Sequence, residues 1–144
     1  MGGVPKPDRA WFWLSNAWIV ALVATLGALF LGEVMGMTPC LLCWYQRILM
    51  FPMALILGIA AFTNDRRGAV YALPLAGGGV AVAGYHTLLV AGAVPTGWVP
   101  CGAGQSCSEQ SLELLGGVQI PWLSLAAFVA ITGLLVQYLW RTRE

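Results

Sequence analysis

Four long apolar runs, Trp11 to Leu31, Leu41 to Phe62, Ala69 to Val94 and Ile120 to Trp140, alternate with polar breaks along the chain. Each is about 20 residues or longer, and at 1.5 Å per residue that length crosses a hydrocarbon core of about 30 Å. None shows the two-residue alternation of an outer-membrane barrel, so the pattern predicts helices. The expected fold is therefore an all-α integral membrane protein, a four-transmembrane-helix bundle forming a single membrane domain over residues 1–144. The first two breaks are short, which makes neighbouring helices antiparallel. Only the third, an outer loop over 95–119, has room for structure of its own.

Smaller signals refine this picture. Pro74 marks either the true start of the third span or a kink in it. Ala28 with Gly32, and Gly77, Gly78, Gly79 and Gly84, are small enough to let helices approach closely in lipid. In the long loop, Ser106 followed by Glu109 fits a capping box, and Leu112, Leu115 and Val118 predict a short interfacial helix on the membrane surface. Trp11, Trp13, Trp44, Tyr45, Trp98, Trp122, Tyr138 and Trp140 fall at span ends, as an aromatic belt would.

Composition agrees: 59% of the 144 residues are hydrophobic and 9% are charged, against roughly 25% charged in a soluble domain. The net charge of +1 suggests no nucleic-acid partner, and nothing in the chain demands more than a monomer. Position matters more than sum. Lys6 and Arg9 precede the first span, Arg66 and Arg67 fill the second break, and Arg141 and Arg143 follow the last span. The positive-inside rule puts that side, with both termini, in the cytoplasm. The expected location is a bacterial cytoplasmic membrane, crossed several times. The first span is too long for the apolar part of a cleavable signal peptide.

All four cysteines then face the extracytoplasmic, oxidising side: Cys40 and Cys43 at the mouth of the second span, Cys101 and Cys107 in the outer loop. In the run Thr38-Pro39-Cys40-Leu41-Leu42-Cys43-Trp44-Tyr45-Gln46-Arg47, helical spacing places Cys40, Cys43 and Arg47 within about 60° of one stripe. Pro39 suits a first helical position with Thr38 as cap, and the positive end of the helix dipole favours a Cys40 thiolate. A c-type haem site would need His where Trp44 stands. A four-thiolate zinc site would want a tighter, screened second pair, so no metal is expected. A structural disulfide remains open for either pair, although a bridge across so short a loop as Cys40 to Cys43 adds little stability and suits exchange better. Arg47 lies about 9 Å below the outer end of its span and His86, the only histidine, about 12 Å below the end of the third. Charged and polar groups inside a membrane usually mark a site. Two donors beside a thiol pair could hold a quinone carbonyl oxygen.

These residues resemble the DsbB family of membrane disulfide-generating oxidoreductases, in its short branch called BdbC. The resemblance rests on Pro39-Cys40-Leu41-Leu42-Cys43-Trp44-Tyr45-Gln46-Arg47, Tyr85-His86, the outer cysteine pair and Ile120-Pro121-Trp122. It implies a thiol:quinone oxidoreductase with quinone, menaquinone or ubiquinone, as cofactor and a thioredoxin-fold oxidase of the DsbA or BdbD kind as partner. By that resemblance Cys40 and Cys43 are the catalytic pair beside the quinone, with Cys43 nearer the ring. Arg47 supports quinone reduction, and His86 lies near the head group. Cys101 and Cys107 are the catalytic loop pair that takes electrons from the partner. The longer-loop branch separates those two far more widely. Vitamin K epoxide reductase is similar in layout but carries its C-x-x-C in the fourth span. A membrane subunit whose cysteines are purely structural is the alternative from another class.

Overall fold

The computed structural model describes residues 8–36, 40–93, 113–114 and 118–143. Four helices long and apolar enough to cross a membrane dominate it: α1 (Arg9–Leu29), α2 (Leu41–Thr63), α3 (Arg66–Val90) and α4 (Ile120–Arg141). Helix α1 packs on α2 and α4, and α3 packs on the same two, so α1 and α3 stand diagonally across the bundle. The chain is a multi-pass membrane protein.

The helix ends differ from the expected span ends, and each difference has a local cause. Asp65 caps α3 by accepting the Arg67 N–H at 2.9 Å, so Arg66 and Arg67 belong to the first turn and not to the connection. Only Asn64 and Asp65 join α2 to α3, with Asn64 turning the chain at φ 52°. Asparagine is among the few side chains that adopt that left-handed conformation readily. Pro74 lies inside α3, and Pro52 inside α2; in a bundle, neighbouring groups re-satisfy the backbone that proline frees. Helix α3 ends at Val90, four residues before the expected end, where Gly92 takes φ 80°. Helix α1 gives way to a π turn, Phe30–Val34, closed by Met35 N–H to the Phe30 carbonyl at 3.1 Å.

Packing explains why the bundle holds in lipid, where apolar burial alone drives little and close van der Waals contact does more. On α3 the buried positions Ala69, Ala72, Ala76, Gly79, Ala83 and His86 step by threes and fours, a heptad-like stripe of small residues. A Cβ on Gly79 would meet the Phe128 ring of α4 at 2.0 Å, so this glycine is what admits the aromatic side chain. Gly77 and Gly84, expected to serve the same purpose, have nothing within 4 Å of a Cβ. Tyr138, expected in the aromatic belt, is buried in the core; Trp44, Tyr45, Trp122 and Trp140 are exposed as expected.

Helix ends are pinned by polar bonds. Trp11 Nε1 donates to the Ala61 carbonyl at 2.8 Å, and Arg66 Nε to Thr142 Oγ1 at 3.2 Å. These bonds gather Arg9, Arg66, Arg67, Arg141 and Arg143 at one end of the bundle. Where the long loop is described, Glu113–Leu114 (β1) pairs antiparallel with Val118–Gln119 (β2). Of the positions of the expected interfacial helix, Val118 lies in β2, and Leu112 and Leu115 lie outside the described residues. Lys6, Thr38, Pro39, Trp98, Cys101, Ser106, Cys107 and Glu109 lie outside the described residues.

Candidate functional site

Cys40 is the N-cap of α2, in place of the expected Thr38. Its Sγ accepts the Cys43 backbone N–H at 3.4 Å, satisfying one of the unpaired donors of the first turn. Cys43, one turn on, brings its Sγ to 3.0 Å from that of Cys40, within hydrogen-bonding range and outside the roughly 2.05 Å of a covalent bridge. The Cys43 thiol bonded to it draws Cys40 down to about 4 from an ordinary 9.0, with burial opposing and His86 and the Cys43 N–H adding. Cys40 is thus built to carry negative charge.

Behind Cys40 lies His86 of α3, 2% exposed. Its Nε2 is 3.9 Å from Cys40 Sγ and its Nδ1 is 3.0 Å from Gln46 Nε2. Ser124 of α4 donates its hydroxyl to Gln46 Oε1. The start of α4 packs on α3 at Thr87, whose hydroxyl donates to the Ala83 carbonyl at 2.8 Å and lies 3.4 Å from the Pro121 carbonyl. Because α3 stops at Val90, His86 sits about 6 Å from the helix end and not the expected 12 Å. That places it level with the first turn of α2.

Arg47 points elsewhere. One residue beyond Gln46 on a helix is a rotation of about 100°, which turns the guanidinium to α1. There NH2 donates to the Ala28 carbonyl at 2.7 Å, and the group lies 5.6 Å from the centre of the Trp44 ring. Gly32, in the π turn, stands so close that a Cβ there would be 2.9 Å from NH2. The expected role of Ala28 and Gly32 in helix packing is thus better described as a seat for Arg47. π turns often mark such functional irregularities.

Cys43, Gln46, Arg47 and Ser124 are the polar part of the lining of one cleft of about 640 Å³, whose other walls are apolar residues of α1, the π turn after it, α2 and α4. Its size falls in the range of small-molecule sites. Wall residues Val23 and Leu123 are also exposed on the outer surface, so the cleft reaches the lipid-facing side of the bundle. Of the expected site residues, Cys43 and Arg47 line it; Cys40 and His86 do not, and meet it only through Cys43 and Gln46. Gln46 and Ser124 were not singled out in the sequence. Their signal was there, since an amide at a buried position in a membrane span requires partners.

Could the same atoms hold a metal? Cys40 Sγ, Cys43 Sγ and a His86 nitrogen all lie within 4.8 Å of one another. Two thiolates on one tetrahedral zinc at 2.3 Å each would stand about 3.8 Å apart. The 3.0 Å seen here is shorter than that and matches a hydrogen-bonded pair of thiols.

Comparison with known proteins adds an independent finding. The family model of "Disulfide bond formation protein DsbB" matches residues 9–138. A "Probable disulfide formation protein" of Metapseudomonas resinovorans is 49% identical over 92% of this chain and 93% of its own length. "Disulfide bond formation protein C" of Bacillus subtilis (strain 168) is 45% identical over 82% of this chain and 86% of its own. A "Probable disulfide formation protein" of Deinococcus radiodurans is 41% identical over 83% of each. No solved structure matches the chain.

Proposed function

The chain belongs to the DsbB family of disulfide bond formation proteins, with the redox role in forming disulfides which that membership carries, and on that premise we propose that it is a thiol:quinone oxidoreductase. In this reading it reoxidises a thioredoxin-fold oxidase outside the cytoplasmic membrane. The partner's two thiols reduce the Cys101–Cys107 disulfide, and one of the resulting thiolates attacks Cys40 of a Cys40–Cys43 disulfide. The bond between Cys40 and Cys43 breaks as the mixed disulfide forms, and Cys43 leaves as a thiolate at the wall of the cleft. The second loop thiolate then resolves the mixed disulfide, leaving Cys40 and Cys43 as the reduced pair.

A quinone, when bound in the cleft, accepts two electrons and two protons and leaves as quinol. The chain's own residues prepare for it. Apolar walls suit a lipid-soluble ligand entering from the bilayer, and Cys43 is the cysteine on the lining. Arg47 offers guanidinium N–H groups where negative charge would develop on a carbonyl oxygen. The five arginines at the far end of the bundle support an inward-facing basic end, with the thiols outside.

The observation that carries the reading is the meeting of one thiol of a capped, exchange-ready pair with a cation in an apolar cleft. An anaerobic titration tests it: reduced Cys101→Ser/Cys107→Ser protein is mixed with a short-chain quinone, and thiols and quinol are counted. One quinol per pair of thiols lost is expected. Thiols that persist beside excess quinone would remove the acceptor from the scheme and favour a structural pair.

A further inference from the structure

Three helices bring one polar side chain each to the same level of the core. His86 continues the small-residue stripe of α3, and Gln46 the buried stripe of α2 that runs through Met50, Met53 and Leu57. Ser124 falls between Pro121 and Phe128 on the packed side of α4. Gln46 is 8% exposed and His86 2%, so neither can turn to water for a missing bond. Their hydrogen bonds must be mutually consistent.

The directions of those bonds are constrained in sequence. The Ser124 hydroxyl donates to Gln46 Oε1. That leaves the amide nitrogen, a donor only, facing His86 Nδ1 at 3.0 Å. Nδ1 must accept, and the ring proton therefore sits on Nε2, the atom 3.9 Å from Cys40 Sγ. Cys40 Sγ is already used as an acceptor by the Cys43 N–H, and a second donor complements it. Were the amide reversed, Nε2 would present a lone pair to a sulfur that is arranged to accept.

We propose that Gln46, anchored by Ser124, is a positioning residue that holds His86 in its Nε2–H form and so keeps a donor aimed at the Cys40 sulfur. Its effect is felt whenever Cys40 carries charge, as attacking or leaving thiolate in exchange. The consequence for the reaction rests on Cys40 taking part in that exchange, whereas the proton's position on the ring does not. Among the described residues, the titratable groups packed about Cys40 are Cys43 on its own helix and His86 and Tyr85 on α3.

The chain has a single histidine, so nitrogen-15 NMR of the imidazole, on protein carrying no polyhistidine tag, reads this ring alone. In the reduced Cys101→Ser/Cys107→Ser protein the expected pattern is a pyridine-type Nδ1 and a protonated Nε2. Gln46→Met, which keeps the volume and loses the amide, mixes the two forms, and Ser124→Ala does so with Gln46 still present. Ser124→Thr, which keeps the hydroxyl, restores the parent spectrum. Alongside, the pH profile of iodoacetamide modification of Cys40, followed by peptide mass mapping, has its midpoint raised by about one unit in Gln46→Met, which below the parent midpoint is a rate about tenfold slower. A parent spectrum with the proton on Nδ1 overturns the proposal. So does a Gln46→Met protein that keeps both the parent spectrum and the parent rate. If the ring is Nε2–H but no quinone is reduced, only the acceptor is wrong; if quinone is reduced and the proton is on Nδ1, only this assignment falls.

Discussion

Replacing Arg47 by Met removes the charge while keeping an apolar stem of similar length. The guanidinium makes a 2.7 Å bond to the Ala28 carbonyl and stacks 5.6 Å from the Trp44 ring, with its remaining N–H groups available to the cleft it lines. A hydrogen bond from a charged donor is worth about 1.5–3 kcal/mol. If one such bond forms to the quinone oxygen as electrons arrive, Arg47→Met lowers kcat/KM for quinone by about 10- to 150-fold. Gly32→Ala provides a second perturbation that leaves Arg47 in place. Its Cβ would lie 2.9 Å from NH2, so the flexible end of Arg47 must shift by a few tenths of an ångström. A misplacement of about 1 Å can cost roughly 100-fold, and this smaller one is expected to cost about three- to tenfold. The assay compares steady-state reduction of a short-chain quinone with a single turnover of dithiothreitol oxidation by oxidised protein without quinone. Both variants should lose the first and keep the second. Equal losses in the two, or an unchanged response to quinone concentration in Arg47→Met, would refute the assignment of Arg47 to the acceptor.

Two further outcomes follow from packing and from charge. Gly79→Ala forces a Cβ to within 2.0 Å of the fully buried Phe128 ring and should destabilise the detergent-solubilised protein by about 1–3 kcal/mol; Gly79→Ala/Phe128→Leu recovers part of the lost Tm, and an unchanged Tm in the single variant would contradict the packing. Modification of Cys40 by iodoacetamide in reduced Cys101→Ser/Cys107→Ser protein should persist through neutral pH and fade only as pH drops through about 4, because lowering the thiol's pKa keeps the reactive thiolate populated above that value. Cys43→Ala removes the largest cause and moves the midpoint upward; a parent midpoint near 9 would show that the cap and its neighbours do not act on this sulfur.

Much of the bundle was legible because a span of about 20 apolar residues has few alternatives in a membrane. Its ends were less so. Arg66 and Arg67 read as a cytoplasmic connection, although Asp65 supplies a cap that lets the helix begin at Arg66. Pro74 read as a start or a kink, and the helix begins eight residues before it. The thiols and Arg47 stood out by residue type and spacing. The π turn that seats Arg47 did not, since no local pattern announces a shift in hydrogen-bond register.

Gln46 and Ser124 are the more instructive omission. Neither carries charge, and both sit beside residues that draw the eye. Their place was nonetheless encoded: the stripe on α4 through Tyr138, Leu135, Ile131 and Phe128 reaches Ser124 by the same three- and four-residue steps that lead from Leu57 through Met53 and Met50 to Gln46. Following an apolar stripe until it turns polar would have found both, together with His86.

The claim that matters most is that Cys43 delivers the electrons taken from Cys101 and Cys107. The most direct measurement is multiple-turnover quinone reduction by a thioredoxin-fold dithiol partner, in the parent and in Cys43→Ser. The account predicts that Cys43→Ser, which cannot form the Cys40–Cys43 disulfide, stops turnover once the Cys101–Cys107 disulfide has been reduced by the partner. A Cys43→Ser protein that reduced quinone at the parent rate would contradict it.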